Sequence, residues 1–405
     1  MLTSIRPSSV SQTDGGVADA LPAVFAGYRR RAGRPGIRNY LLVLNATGLT
    51  EPVARRVHHA LAGSVFVSSP YGMGMLGADL DTTVRSLFGL ALHPNVGAVV
   101  VLSADRSRCD EISETLSTHG TPYFSVALDE VGHDTIRMAE LAIRHGARLA
   151  KDLSVQVTEQ FPLSDLFLAL ECGLSDPTSG IVANRMIGKV ADMLVDAGAT
   201  VVAGETLEWL GVEDALAARG ATADISAAIR AAVLRRESIA RDAGVDLLGV
   251  NPNRANIESG LTTIEEKASG SAAKTGTRVI NGVLKYGEAP QSAGLYLMDA
   301  PSYTPESLTG FAASGAQCAV FSTGLGNSYV SALMPTVKIT ANRGTAERLP
   351  QQIDFDCSGV LVGDDQNAVA QALLREILSV ASGSRTFGEI LGEGGECISR
   401  FGESL

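Results

Sequence analysis

The sequence predicts an α/β protein of two Rossmann-like or flavodoxin-like units, each a parallel sheet with helices on both faces. Three observations carry this. Short apolar runs of strand length alternate with stretches whose apolar residues recur at helical spacing. The 405 residues suffice for two or three domains, and 45% of them are hydrophobic, so sizeable cores can form. Aromatics make up only 5% against 43 glycines, a mix that lets helices lie close on a sheet.

The elements follow in order. Residues 1–24 are expected to be a disordered lead, because "MLTSIRPSSVSQTDGG" is polar and lacks the apolar stretch of a secretory signal. A first α/β domain is expected over 25–155. Its strands are "YLLVLN" (40–45), "SVFVSS" (64–69), "VGAVVVLSA" (96–104) and "TPYFSVAL" (121–128). Helical spacing fills "EPVARRVHHALAG", "DLDTTVRSLFGLALH" and "CDEISETLSTHG" between them, and "DTIRMAELAIRHGARLAKD" closes the domain. Strand–helix–strand alternation of this kind builds parallel sheets.

A second α/β domain is expected over 160–405. "DLFLALE" is a strand and "VANRMIGKVADMLVDAG" an amphipathic helix stopped by Gly198, after which "ATVVAGE" returns as a strand. Helices follow near 212–219 and 224–244. The polar, Gly-rich "NPNRANIESGLTTIEEKASGSAAKTGT" reads as a long functional loop. "GLYLMD" leads to a helix with Thr304 as N-cap and Pro305 at its first position. "AQCAVFSTG" and "TVKITAN" add strands, and "GDDQNAVAQALLREILSVASG" a terminal helix.

Composition excludes several functions. A formal net charge of −11 argues against nucleic acid and anionic membrane as partners. No apolar run reaches the ~20 residues that span a bilayer. The five cysteines are an odd number, scattered, with no C-x-x-C pair, which points to a reducing cytoplasm. All six histidines precede residue 150, so chemistry centred later must use Glu, Asp, Lys, Cys or Tyr.

Gly72, Gly74 and Gly77 in "SPYGMGMLG" have the spacing of a dinucleotide fingerprint. They follow the second strand rather than the first, and the acidic residue ending the next strand, Asp105, comes too late. The loop reads as a turn or a site loop, and no nucleotide is expected.

Ligands of open parallel sheets bind beyond the carboxyl ends of the strands. In the second half those ends deliver Glu171, Cys172, Ser175, Asp176 and Ser179, then Glu205 and Thr206, then Asp299 and Ser302, then Ser322, Thr323 and Gly324. Such a set suits a divalent metal or a polyhydroxylated substrate. Lys267, Lys274 and Lys338 are candidates to neutralise a substrate carboxylate. "GYRRRAGRPGIRNY", with Arg29, Arg30, Arg31, Arg34 and Arg38, is either a solvated face or an anion clamp.

Five separated motifs in order carry a resemblance: "GYRRRAGRPGIRNY", "ECGLSDPTSGIVANRMIGKVADMLVDAGATVVAGET", "NPNRANIESGLTTIEEKASGSAAKTG", "MDAP" and "FSTGLGNSYVSALMPTVKITAN". Over roughly 25–365 the chain resembles the altronate/galactarate dehydratase family, which also includes the large subunit of sulfolactate sulfo-lyase. The resemblance implies a lyase that removes the proton alpha to a carboxylate and expels a beta substituent to give a 2-oxo acid. It implies a divalent cofactor, ferrous iron first, with manganese or magnesium as alternatives. It implies Lys267, Glu205, Cys172 and Glu265 as catalytic residues, and Cys172 and Glu205 as metal ligands. Substrate contacts carried over are Ser175, Asp176, Ser179, Asn184, Thr323, Gly324, Lys338 and Asn342, with Arg38 from the first motif. The substrate is a small anionic hydroxy acid.

The sugar-acid dehydratases often carry a small N-terminal domain that has no counterpart here. In the two-part sulfo-lyase it is a separate small subunit, so a small partner is expected, along with homo-oligomer formation. The resemblance also places a His and a Cys in the loop after the second strand and Gly-Cys-Glu after the third. Here Tyr71, Met73 and Met75 occupy that loop, and Ser103-Ala104-Asp105 end the third strand. Methionine is a poor ligand for a hard divalent ion. Three activities therefore stay open: dehydratase, carbon–sulfur lyase, and a non-catalytic hydroxy-acid-binding homologue.

Overall fold

Two parallel sheets organise the chain in the computed structural model, which describes residues 22–72 and 74–400. The polar lead up to residue 21 and Met73 of the glycine loop lie outside the described residues.

The first lobe runs β1 (Val24–Gly27), β2 (Tyr40–Asn45), α1 (Glu51–Ala60), β3 (Val65–Ser68), α2 (Gly77–Ala91), β4 (Val96–Ser103), α3 (Arg106–His119), β5 (Tyr123–Ala127), α4 (Thr135–Leu153) and β6 (Glu159–Pro162). Its sheet has the order β3-β2-β4-β5, all parallel. Strand β4 is buried along its whole length, as its unbroken valine-rich run requires of a parallel strand covered on both faces. Asp134 starts α4 by accepting from the backbone N–H groups of Ile136 and Arg137.

The second lobe begins with β7 (Phe167–Cys172), α5 (Asn184–Asp196), β8 (Thr200–Ala203), α6 (Glu213–Ala217), α7 (Ala223–Asp242), α8 (Arg254–Glu258), α9 (Ile264–Ala273), β9 (Ile280–Leu284) and β10 (Gly294–Met298). It continues with α10 (Thr304–Ala313), β11 (Cys318–Ser322), β12 (Val330–Ser331), β13 (Thr336–Thr340), α11 (Arg343–Arg348), β14 (Phe355–Asp356), α12 (Gln366–Ala381), α13 (Phe387–Leu391) and β15 (Gly394–Gly395). The seven-stranded sheet has the order β14-β13-β11-β7-β8-β10-β9, again parallel. The order reverses at β7 and β11, which makes the crevice beyond their carboxyl ends the switch point.

One core buries Leu168, Leu170, Val201, Val320 and Val337 under α5 and α12. Another is shared by the lobes, joining Leu87 and Leu90 of α2 to Phe167, Ala169, Leu308 and Phe311. The arginine-rich segment braces this seam. Arg30 donates to the carbonyls of Pro94 and Arg38 and to Asn39 Oδ1, and Arg34 donates to Ser164 O and Thr200 Oγ1.

The segment expected as one long loop over 251–277 instead contains α8 and α9. Its small residues hide any apolar stripe, yet they are what lets α9 pack tightly. Asn253 and Thr263 cap the two helices. Thr304 is the first residue of α10, with Tyr303 at the N-cap position.

Candidate active site

The carboxyl edge of the second sheet gathers a buried polar cluster. Strand β7 ends at Cys172 and β8 is followed by Glu205, which turns the chain with a left-handed backbone (φ 68) into a 3-10 turn, Thr206–Trp209, that holds Glu208. Helix α9 lies across these ends and lowers Lys267, Ser271 and, at its C-cap, Lys274 onto them. Close approach is possible because glycines face each other: a Cβ on Gly180 would stand 3.0 Å from Gly270 Cα. Asn184 Nδ2 also donates to Gly270 O at 2.9 Å, fixing the helix from the other side.

The contacts are dense. Cys172 Sγ lies 3.3 Å from Glu208 Oε2, 3.5 Å from Glu205 Oε2, 3.0 Å from Lys274 Nζ and 3.6 Å from Ser271 Oγ. Lys274 Nζ also contacts Glu205 Oε2 directly. Lys267 Nζ pairs with Glu208 Oε1 at 2.8 Å. The backbone N–H of Cys172 donates to Glu205 Oε2 at 3.1 Å. Glu205 and Lys274 are 0% exposed, and even the most open member, Lys267, is only 8% exposed. Water screening is therefore weak, and these charges act on one another strongly.

Electrostatics follow from that. Burial pushes the Glu205 carboxyl up to about 7 against the opposing pull of Lys274. Burial also raises Glu208, but Lys267 and Lys274 outweigh it and leave it below its ordinary value. Burial and then Glu205 and Glu208 push the Cys172 thiol well up. Burial works against the charge of Lys267, yet Glu208 prevails and holds its ammonium above the ordinary lysine value. Lys274 is held in the same sense by Cys172, Glu205 and Glu208. Cys172, Glu205 and Glu208 offer donor atoms within 4.8 Å of one another, a thiol and two carboxylates that could hold a divalent ion.

A second group borders the switch point. Asp176 accepts from Thr178 Oγ1 at 2.7 Å, from the backbone N–H and the hydroxyl of Ser179 at 3.0 Å each, and from Asn342 Nδ2 at 2.8 Å. Gly324 presses on this carboxylate so closely that an added Cβ would sit 2.4 Å from Asp176 Cγ. Thr323 Oγ1 accepts from Gly326 N, and the Ser175 carbonyl accepts from Asn256 Nδ2. Asn184 Oδ1 accepts from Ser322 Oγ at the end of β11.

Three expected site residues stand elsewhere. Lys338 shares a sheet face with Phe321 and Glu171, opposite to that of Cys172, because the register pairs Phe321 with both. Its ammonium contacts Ser328 O at 2.9 Å and Glu393 at 3.3 Å. Arg38 is committed to Glu389 and to the carbonyls of Ile37, Val380 and Ser384. Glu265 is exposed on the first turn of α9, two residues ahead of Lys267. Asp299, another candidate, is bound by Arg235 and Arg236. Glu208 enters the cluster without having been singled out, and Lys274, a candidate for neutralising a substrate carboxylate, sits there against Cys172 and Glu205. The signal for Glu208 was its i+3 spacing from Glu205.

Family models match most of the chain. "D-galactarate/Altronate dehydratase, C-terminal" covers residues 163–404, and "D-galactarate dehydratase/Altronate hydrolase, second domain" covers 27–154. The chain is 36% identical over 384 residues to (2R)-sulfolactate sulfo-lyase subunit beta of Chromohalobacter salexigens, spanning 94% of this chain and 98% of that one. It is 31% identical over 376 residues to altronate dehydratase of Escherichia coli, spanning 89% and 74%. Galactarate dehydratase (L-threo-forming) of the same organism is 28% identical over 311 residues, spanning 75% and 59%.

Proposed function

The chain belongs to the D-galactarate/altronate dehydratase family, and from that premise we propose that it is a lyase eliminating water from a sugar acid or related 2,3-dihydroxy acid to give a 2-oxo acid. One observation carries the reading: two carboxylates, a thiol and two ammonium groups converge in a dry cluster at the carboxyl rim of a parallel sheet.

Elimination beside a carboxylate needs a proton acceptor and a way to hold the enediolate charge that appears when the C–H bond breaks. Lys267 keeps its proton through Glu208, so we assign it and Lys274 to that charge rather than to proton removal. Glu205, at the centre of the cluster, is our assignment for the proton acceptor. Asp176, Ser179, Thr323 and Asn342 border the switch point and are assigned to orienting substrate hydroxyls. A divalent ion held by Cys172, Glu205 and Glu208 would supply Lewis acidity at the substrate oxygens in place of the Lys274 ammonium. Lysines already supply positive charge there, so the loss of the first-lobe His and Cys pattern is compatible with retained activity.

Sulfite as leaving group is the second reading. It is favoured by the match to the sulfo-lyase subunit, which runs almost end to end, whereas about a quarter of the altronate dehydratase is unmatched. That relative is named a subunit beta, so a separate small partner chain is part of this reading. The deciding experiment is a hydroxy-acid panel assayed without oxygen, with ferrous, manganese or magnesium ions and with or without a co-expressed partner. Formation of 2-oxo acid from a dihydroxy acid supports dehydration, and sulfite released from sulfolactate supports the second reading. Binding of hydroxy acids with no turnover under any condition would leave a non-catalytic homologue.

A further inference from the structure

The Lys274 ammonium sits on the same atoms that a divalent ion would use. It contacts Cys172 Sγ at 3.0 Å and Glu205 Oε2 directly, and both side chains belong to the three-residue donor group. Bonds from a metal to thiolate and carboxylate are only about 2.0–2.3 Å long. An ion placed on these donors would therefore stand against the ammonium, where two positive charges in a dry site repel strongly.

The arrangement also balances charge on its own. Glu208 faces Lys267 and Glu205 faces Lys274, two carboxylates for two ammonium groups. A buried carboxylate pair without any cation would destabilise the fold severely. We propose that Lys274 is a resident stand-in for the ion: it neutralises the donor group when no metal is held there, and it must leave Cys172 and Glu205 for a divalent ion to bind. Ser271 Oγ, 3.3 Å from Nζ, is a further acceptor that the ammonium already touches on α9. The inference rests on the reading of Cys172, Glu205 and Glu208 as an ion-holding group.

The test uses Co2+ alone, followed by equilibrium dialysis and by the cobalt–thiolate absorption band. Lys274→Met should bind Co2+ about tenfold or more tightly than wild type. Its melting temperature should fall in chelator and recover on Co2+ addition, while wild type changes little. Cys172→Ala should remove the thiolate band, which locates the ion. Equal or weaker Co2+ affinity in Lys274→Met, with wild type binding the ion at this group, overturns the exchange and spares the ion-holding reading. Failure of both proteins to bind Co2+ overturns both. Should Lys274→Met not fold even with Co2+, a crystal structure of Co2+-loaded wild type decides. Lys274 away from Cys172 and Glu205 supports the exchange, and an ion present beside an unmoved Lys274 refutes it.

Discussion

Lys267 Nζ lies 2.8 Å from Glu208 Oε1, and both side chains are almost fully shut off from solvent. Removing one partner leaves the other as an unpaired buried charge. Lys267→Met is expected to destabilise the fold by about 3–5 kcal/mol and to lower turnover at least a hundredfold. Lys267→Met with Glu208→Leu should recover much of the stability, measured by urea unfolding, and none of the activity. Recovery of activity in the double variant would remove the pair from the reaction.

Asp176 ties its own turn to Asn342, just past the end of β13, so one carboxylate orders two rim loops. Asp176→Ala strands the donors of Ser179 and Asn342 and should lower kcat/KM by about a hundredfold or more through misplaced rim groups. Asn342→Ala removes the Asp176 contact together with the cap its Oδ1 gives Thr345 N at the start of α11, and should raise KM more than it lowers kcat. Steady-state kinetics on whichever hydroxy acid the panel identifies separates the two effects.

How far the sequence revealed this site depended on how each residue is presented. Cys172 and Glu205 end apolar runs that read as buried strands, so their place at a sheet rim was legible. Lys267 and Lys274 were visible as charges, but the helix that aims them was not. The 264–273 stretch is rich in Ala, Ser and Gly, carries no apolar stripe, and becomes a helix by packing Gly270 against Gly180. Glu208 was hidden because a 3-10 turn, rather than a strand end, brings it back to Cys172. Lys338 shows the converse case. A lysine in a buried strand looks functional, but strand alternation puts it on the face opposite Cys172, where Glu393 and a carbonyl receive it.

Arg38 separates substrate binding from structural bracing. Its guanidinium donates to both oxygens of Glu389 and to three backbone carbonyls, one of them on α12. Arg38→Met should destabilise by about 3–5 kcal/mol, because Glu389 and the carbonyls lose their partner together. KM measured well below the melting temperature should stay within about twofold of wild type. A large KM increase at preserved stability would restore Arg38 to the substrate-binding group.

His93 should make the join between the lobes sensitive to acid. Its Nε2 faces the carbonyl of Ala316 at 2.8 Å, and its Nδ1 accepts from the backbone N–H of Asn95 at 3.0 Å. Only the neutral ring with its proton on Nε2 satisfies both contacts. A second proton would point at the Asn95 N–H in a site fully closed to water. Burial accordingly holds the imidazole pKa down at about 4, below the ordinary 6.5. The unfolded chain therefore takes up a proton that the folded chain refuses. Stability from this group is fully present above pH 6.5 and falls as pH drops from there towards 4, by about 1.4 kcal/mol per unit at most. His93→Gln keeps a donor for Ala316 but does not titrate. Its unfolding free energy, measured by urea titration at pH 7.5, 6 and 5, should decline less steeply than that of wild type. Parallel declines in the two proteins would exclude His93 as the source of the acid sensitivity.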